Sequence, residues 1–116
     1  MTKPIRVVIA EDEAIIRLDL KESLEAEGYA VIGETGRGDE VIDLVRMLEP
    51  DLVILDIKMP GMNGIDAAKV ISDEGLAAVI LLSAFSQQDL IKEASNAGVL
   101  AYLVKPFQRS DLVPSI

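Results

Sequence analysis

Five side chains of this sequence have the types and positions to do chemistry together. They are Glu11 and Asp12 in the acid run Glu11-Asp12-Glu13, Asp56 at the end of the apolar run Leu52-Val53-Ile54-Leu55, Ser83, and Lys105. Carboxylates held close together repel, and a divalent cation relieves that repulsion. Mg²⁺ is the natural ion for such a donor set, because it takes one or two carboxylates, waters and a phosphate oxygen. A carboxylate beside that ion can attack phosphorus and form an acyl phosphate. An amine next to it stabilises the charge of the transferring phosphoryl group, a task that suits Lys105 as a point charge. Ser83 can donate a hydrogen bond to a phosphoryl oxygen.

Composition removes the rival chemistries. The chain has no cysteine and no histidine. Thiolate nucleophiles, zinc-thiolate sites, imidazole ligands and catalytic triads are therefore absent, and any phosphohistidine must come from elsewhere. The net charge of −9, from 20 acidic and 11 basic residues without a basic stripe, repels phosphate backbones. With only Tyr29, Phe85, Tyr102 and Phe107 as aromatics, a base-stacking platform is not expected either. No direct nucleic-acid contact by this segment is expected. The longest apolar run, Leu76 to Leu82, is far short of a membrane span, and no signal peptide is visible at the N-terminus. The expectation is one cytoplasmic domain of 116 residues.

The elements that must position these groups follow from periodicity. Ile5 to Ala10 reads as a strand running into the acids. Ile16, Leu20 and Leu24, widened by Ile15 and Leu18, mark the apolar face of a helix stopped by Gly28. A short strand is predicted over Tyr29 to Gly33, and Thr35 to Gly38 as a loop. Val41, Leu44, Val45 and Leu48 give a second helix, ended by Pro50. Leu52 to Asp56 is an apolar run bounded by breakers, the mark of a strand buried on both faces. Met59-Pro60-Gly61 turns the chain toward a weaker helix from Ile65 to about Ser72. Ala78 to Ser83 and Leu100 to Val104 are further strands, with a helix marked by Leu90, Ile91, Ala94 and Ala97 between them. Strands alternating with helices in this way predict a parallel sheet covered on both faces. All strand ends then meet at one rim, where open α/β sheets bind their ligands.

Taken in order, these motifs resemble the receiver domain of bacterial two-component response regulators over about Ile5 to Leu112. The resemblance is carried by Glu11-Asp12, by Asp56 with Met59-Pro60-Gly61 and Gly64, by Ser83-Ala84, and by Tyr102 with Lys105-Pro106-Phe107. It implies a flavodoxin-like (βα)5 fold with a doubly wound sheet of order 2-1-3-4-5. It also implies that Asp56 accepts a phosphoryl group from the phosphohistidine of a sensor histidine kinase. Glu11, Asp12, Asp56 and the backbone carbonyl of Lys58 would hold Mg²⁺. Ser83 and Tyr102 would be the switch pair that alters the face of the fourth helix, fifth strand and fifth helix. The bond before Pro106 would be cis. Such a domain catalyses only its own phosphorylation and dephosphorylation.

The segments Ala10 to Leu20, Leu103 to Phe107 and Ser110 to Pro114 are similar to receivers joined to ANTAR-type RNA-binding antiterminator domains. A longer parent with a C-terminal output domain or partner protein is therefore expected, with residues 1–116 as its receiver and the last helix cut short. Dimerisation on activation is one possible consequence of phosphorylation. Taken singly, each motif has a plainer reading: Asp56 as a strand-end cap, Glu13 as a helix-start acid, Lys105 as a solvated lysine. Two other functions stay open, a phosphorylation-independent interaction module and an Mg²⁺-dependent phosphatase. The latter usually carries a second acid two residues past its nucleophile, where this chain has Lys58. The resemblance also implies that the residues two beyond Asp56 and two beyond Ser83 tune phosphoryl lifetime. Here these are Lys58 and Phe85, neither a carboxylate or amide able to orient an attacking water, so slow self-dephosphorylation is expected.

Overall fold

The computed structural model describes residues 4–83 and 101–104, with Ser83 and residues 101–104 described through their backbone alone. Its elements are β1 (Arg6–Ala10), α1 (Ala14–Ala26), β2 (Ala30–Thr35), α2 (Gly38–Leu48), β3 (Leu52–Asp56), α3 (Gly64–Asp73), β4 (Ala78–Ser83) and β5 (Ala101–Val104). The strands form one parallel five-stranded sheet in the order β2-β1-β3-β4-β5, as the resemblance implied. The helices expected after β4 and β5 lie outside the described residues, as do Phe85, Lys105, Pro106 and Phe107.

Period-two alternation divides the sheet into two cores. Val7, Ile9, Leu52, Ile54, Ile80 and Leu82 point to one face, where Leu20 and Leu24 of α1 cover them. Val8, Ala10, Val53, Leu55, Val79 and Leu81 point to the other, beneath Val41, Val45, Ala67, Ala68 and Ile71 of α2 and α3. Helices on both faces make this a doubly wound sheet. Every residue of β3 is buried, as its unbroken apolar run predicted. Truncating Leu24 to alanine leaves a cavity under α1. It is expected to cost about 2–5 kcal/mol, read as a lower urea midpoint.

The structure corrects the sequence reading in places. Ile15 and Leu18 do not widen the buried face of α1; they are 85% and 55% exposed. At about 100° per residue, Leu18 points about 160° away from Leu20, and the sheet contacts a narrower stripe than the composition suggested. Thr35 ends β2 rather than opening a loop, and Gly38 already belongs to α2. The helix expected from Ile65 begins at Gly64 because the Asn63 side chain caps it, accepting from the Asp66 N–H at 3.0 Å. Gly28, at φ 91°, ends α1 as expected, its N–H bonded to the Glu25 carbonyl at 3.1 Å.

Candidate functional site

The register of the sheet builds the acid cluster. Ile9 pairs with Ile54 and Ala10 with Leu55, so the next residues outward, Glu11 and Asp56, are neighbours. Both continue the rows Val7-Ile9 and Leu52-Ile54, and so start out on the same face of the sheet. One carboxylate oxygen each from Glu11, Asp12 and Asp56 lies within 4.8 Å of the others. Glu11 is fully buried and Asp56 is 6% exposed, whereas Asp12 is open to solvent. The arrangement therefore has a closed floor and an accessible wall. Its donors are all hard oxygens, the set that fits Mg²⁺ rather than a softer metal.

Backbone bonds fix the acids. The Glu11 N–H donates to the Thr35 carbonyl at 3.0 Å, and the Glu13 N–H donates to Glu11 Oε1 at 3.1 Å. On the β3 side, the Ile57 N–H donates to the Leu82 carbonyl at 3.1 Å and the Gly64 N–H to the Ile57 carbonyl at 2.7 Å. These bonds make residues 57–64 a closed loop. Gly61 turns it at φ 85°, and Gly64 lies so close to the Asp56 carbonyl that a β-carbon there would overlap it. A cavity of about 530 Å³ opens beside the loop, lined by Asp12, Ile57, Lys58, Met59, Pro60 and Asn63. It has room for a hydrated cation and a phosphoryl group.

The loop also leans on α2. The Gly38 N–H donates to the Pro60 carbonyl at 3.1 Å, and the Asp39 carboxylate lies over Gly61. Arg37 pairs with Asp39 through Nε–Oδ1 at 3.0 Å and Nη2–Oδ2 at 3.1 Å. That hydrogen bond holds the Asp39 carboxyl below its ordinary range and raises Arg37. Thr35 Oγ1, buried, donates to Glu40 Oε2 at 2.8 Å and accepts from the Arg37 N–H at 3.2 Å.

Of the residues singled out in the sequence, Glu11, Asp12 and Asp56 are brought together, and Lys58 lines the cavity beside them. Ser83 and Tyr102 lie on adjacent strands, Tyr102 opposite Leu81 and Ser83 opposite Val104, which Lys105 follows in the chain. Their side chains, Lys105 and the bond before Pro106 are outside the described residues. Sequence reasoning missed Arg17, Thr35, Gly38 and Asn63, all of which hold the acid-bearing loops. For Asn63 the signal was present, an Asx residue directly before an apolar helix. Arg17 and Thr35 act across elements and carry no local mark.

A family model described as the response regulator receiver domain matches residues 7–116. The chain belongs to the response regulator receiver family. Receivers are signalling modules of two-component systems rather than metabolic enzymes. This receiver is 55% identical over 113 residues to the transcriptional regulatory protein PdtaR of Mycobacterium tuberculosis, covering 97% of the chain and 55% of that protein. It thus spans about half the length of that relative. It is also 42% identical to the chemotaxis protein CheY of Thermotoga maritima, over 96% of this receiver and 93% of that protein. Its fold matches the signal receiver domain of NarL from M. tuberculosis with a TM-score of 0.93 at 28% identity, covering 98% and 94% of the two chains. The CheX–CheY–BeF3–Mg²⁺ complex from Borrelia burgdorferi matches at a TM-score of 0.90 and 28% identity, over 97% of this receiver and 86% of that chain. Among the described residues, no helix is long and apolar enough to cross a membrane.

Proposed function

We propose that this receiver is a phosphorylation switch in which Asp56 takes a phosphoryl group from the phosphohistidine of a sensor histidine kinase. An Asp56 carboxylate oxygen attacks phosphorus, the P–N bond to the imidazole breaks, and the released nitrogen takes up a proton. Bound Mg²⁺ supplies charge neutralisation at the transferring oxygens. Glu11, Asp12, Asp56 and the Lys58 carbonyl would hold it, Glu11 directly or through water. The single observation that carries this reading is the approach of the three carboxylate oxygens to within 4.8 Å, with Asp56 buried at the end of β3. A relative of matching fold is described with BeF3 and Mg²⁺ in its complex, which supports the same donor chemistry here.

Lys105 and Ser83 are assigned to the phosphoryl oxygens, and Ser83 with Tyr102 to the switch. Their strands end on the rim that carries Asp56. The outcome is a changed surface around β5 and the two helices that the sequence predicts on either side of it. We assign that surface to control of a C-terminal output domain or partner protein in a longer parent, with dimerisation as one route. The likeness to the transcriptional regulatory protein PdtaR favours a transcriptional output. Residues 10–20, 103–107 and 110–114 favour the ANTAR antitermination type.

The test is the intact mass of the protein after incubation with Mg²⁺ and acetyl phosphate. A gain of one phosphoryl group is expected, lost when EDTA replaces Mg²⁺. No gain would favour a phosphorylation-independent interaction module. Continuous release of phosphate at many turnovers per minute would favour a phosphatase.

A further inference from the structure

We propose that Arg17 is a positioning residue for the acid pair Glu11-Asp12, and that the turn following Thr35 is the seat in which it works. This rests on the reading of Glu11, Asp12 and Asp56 as the holders of Mg²⁺. Side chains in a helix lean toward its N-terminus, so Arg17, in the first turns of α1, reaches back over the loop that precedes it. Its Nη1 donates to the Glu11 carbonyl at 2.7 Å. That carbonyl belongs to the peptide unit joining Glu11 to Asp12. The Glu11 N–H is already tied to the Thr35 carbonyl at 3.0 Å. Glu11 is therefore held by its backbone on both sides, by β2 through its N–H and by α1 through its carbonyl. Together these bonds set the directions in which both acid side chains leave the chain.

The seat for the guanidinium is built. Gly36 leaves the space it occupies, since a β-carbon there would lie 3.3 Å from Arg17 Nη1 and 3.5 Å from the Asp12 α-carbon. Glu34 Oε1 lies 3.6 Å from Arg17 Nε, and Lys21 Nζ lies 3.8 Å from the other Glu34 oxygen. The Arg17 side chain is 24% exposed, half-buried between α1 and the end of β2. Glu34 partly neutralises the arginine, so its charge does not fall wholly on the acid cluster.

The placement has a distinctive sign. A cation beside a cation site lowers metal affinity by Coulomb repulsion, so deleting its charge alone should tighten Mg²⁺ binding. Loss of a positioning group does the opposite, because the acids no longer sit where the ion needs them. Groups that orient metal ligands typically contribute about tenfold or more in affinity. Mg²⁺ titration by calorimetry on the intact chain, comparing wild type, Arg17→Met and Asp12→Asn, separates the two effects. Arg17→Met is expected to weaken Mg²⁺ by about tenfold, with a melting midpoint without metal close to wild type. Equal or tighter binding by Arg17→Met, while Asp12→Asn still loses affinity, would overturn the role of Arg17 and leave the metal site standing. Absence of Mg²⁺ binding by the wild type would overturn both. Should Arg17→Met fail to fold, Gly36→Ala decides. It crowds the guanidinium with no change of charge, and an unchanged Mg²⁺ affinity would count against the inference.

Discussion

Replacing Asp56 by asparagine will abolish the gain of a phosphoryl group altogether, not merely slow it. The carboxamide offers no anionic oxygen to attack phosphorus, and no described residue can stand in for it. Glu11 is fully buried, and Asp12 lies beside it on the loop after β1, not at the end of β3. The contrast with Asp12→Asn is what makes the result informative. That change removes a carboxylate from the rim but leaves the nucleophile, so phosphorylation should survive at a lower rate and be partly restored by raised Mg²⁺. Intact mass measured over a range of Mg²⁺ concentrations distinguishes the two variants. Residual single phosphorylation of Asp56→Asn at another site would remove Asp56 from its central role.

Placing alanine at Gly64 will damage stability and site together. The new methyl would be built into the Asp56 carbonyl oxygen, with the Ile57 backbone directly behind it. These are backbone atoms, so no side-chain rotation relieves the overlap. Overpacking of this kind costs about 1–3 kcal/mol, and loosening the 2.7 Å bond from the Gly64 N–H to the Ile57 carbonyl adds about 1 kcal/mol. The displaced backbone also carries Asp56 and the Lys58 carbonyl, and misplacing reacting groups by about an ångström can slow a reaction about a hundredfold. The expected result is a lower thermal midpoint and a much slower phosphorylation of the fraction that remains folded. A Gly64→Ala protein that melts and phosphorylates like wild type would show that the loop has more freedom than its contacts imply. Gly75 is the natural control. Nothing lies within 4 Å of a β-carbon there, although φ of 64° still places it where alanine is strained.

The proposed phosphotransfer chemistry and the stability of the fold thus meet in one short stretch, Asp56 to Gly64. The same closure, the Gly64 N–H on the Ile57 carbonyl, also starts α3, with Asn63 as its cap. The metal site proposed here must hold its geometry before an ion arrives, and it benefits from being part of a helix start. On the other side, the acid pair is held by β2 and α1 in the same way. Neither group of acids depends on a free loop.

The sequence by itself determined the alternation of strands and helices, the buried run of β3, and the acids at the ends of β1 and β3. These are properties of hydrophobic period and of breakers, which act over a few residues. It also determined that any metal would be held by oxygen, because histidine and cysteine are missing. The tertiary structure alone decided which groups hold those acids in place. Arg17 meets Glu11, Gly38 meets Pro60 and Asp39 lies over Gly61 because β2 and β3 flank β1 in the sheet and α1 and α2 pack on opposite faces. Contacts of that kind depend on strand order and on the angle at which a side chain leaves its helix. The same angle put Ile15 and Leu18 in solvent where their hydrophobicity suggested core. Local pattern carries the period of an element but not its rotation against its neighbours, and it is that rotation which placed Arg17 at the loop of Glu11 and Asp12.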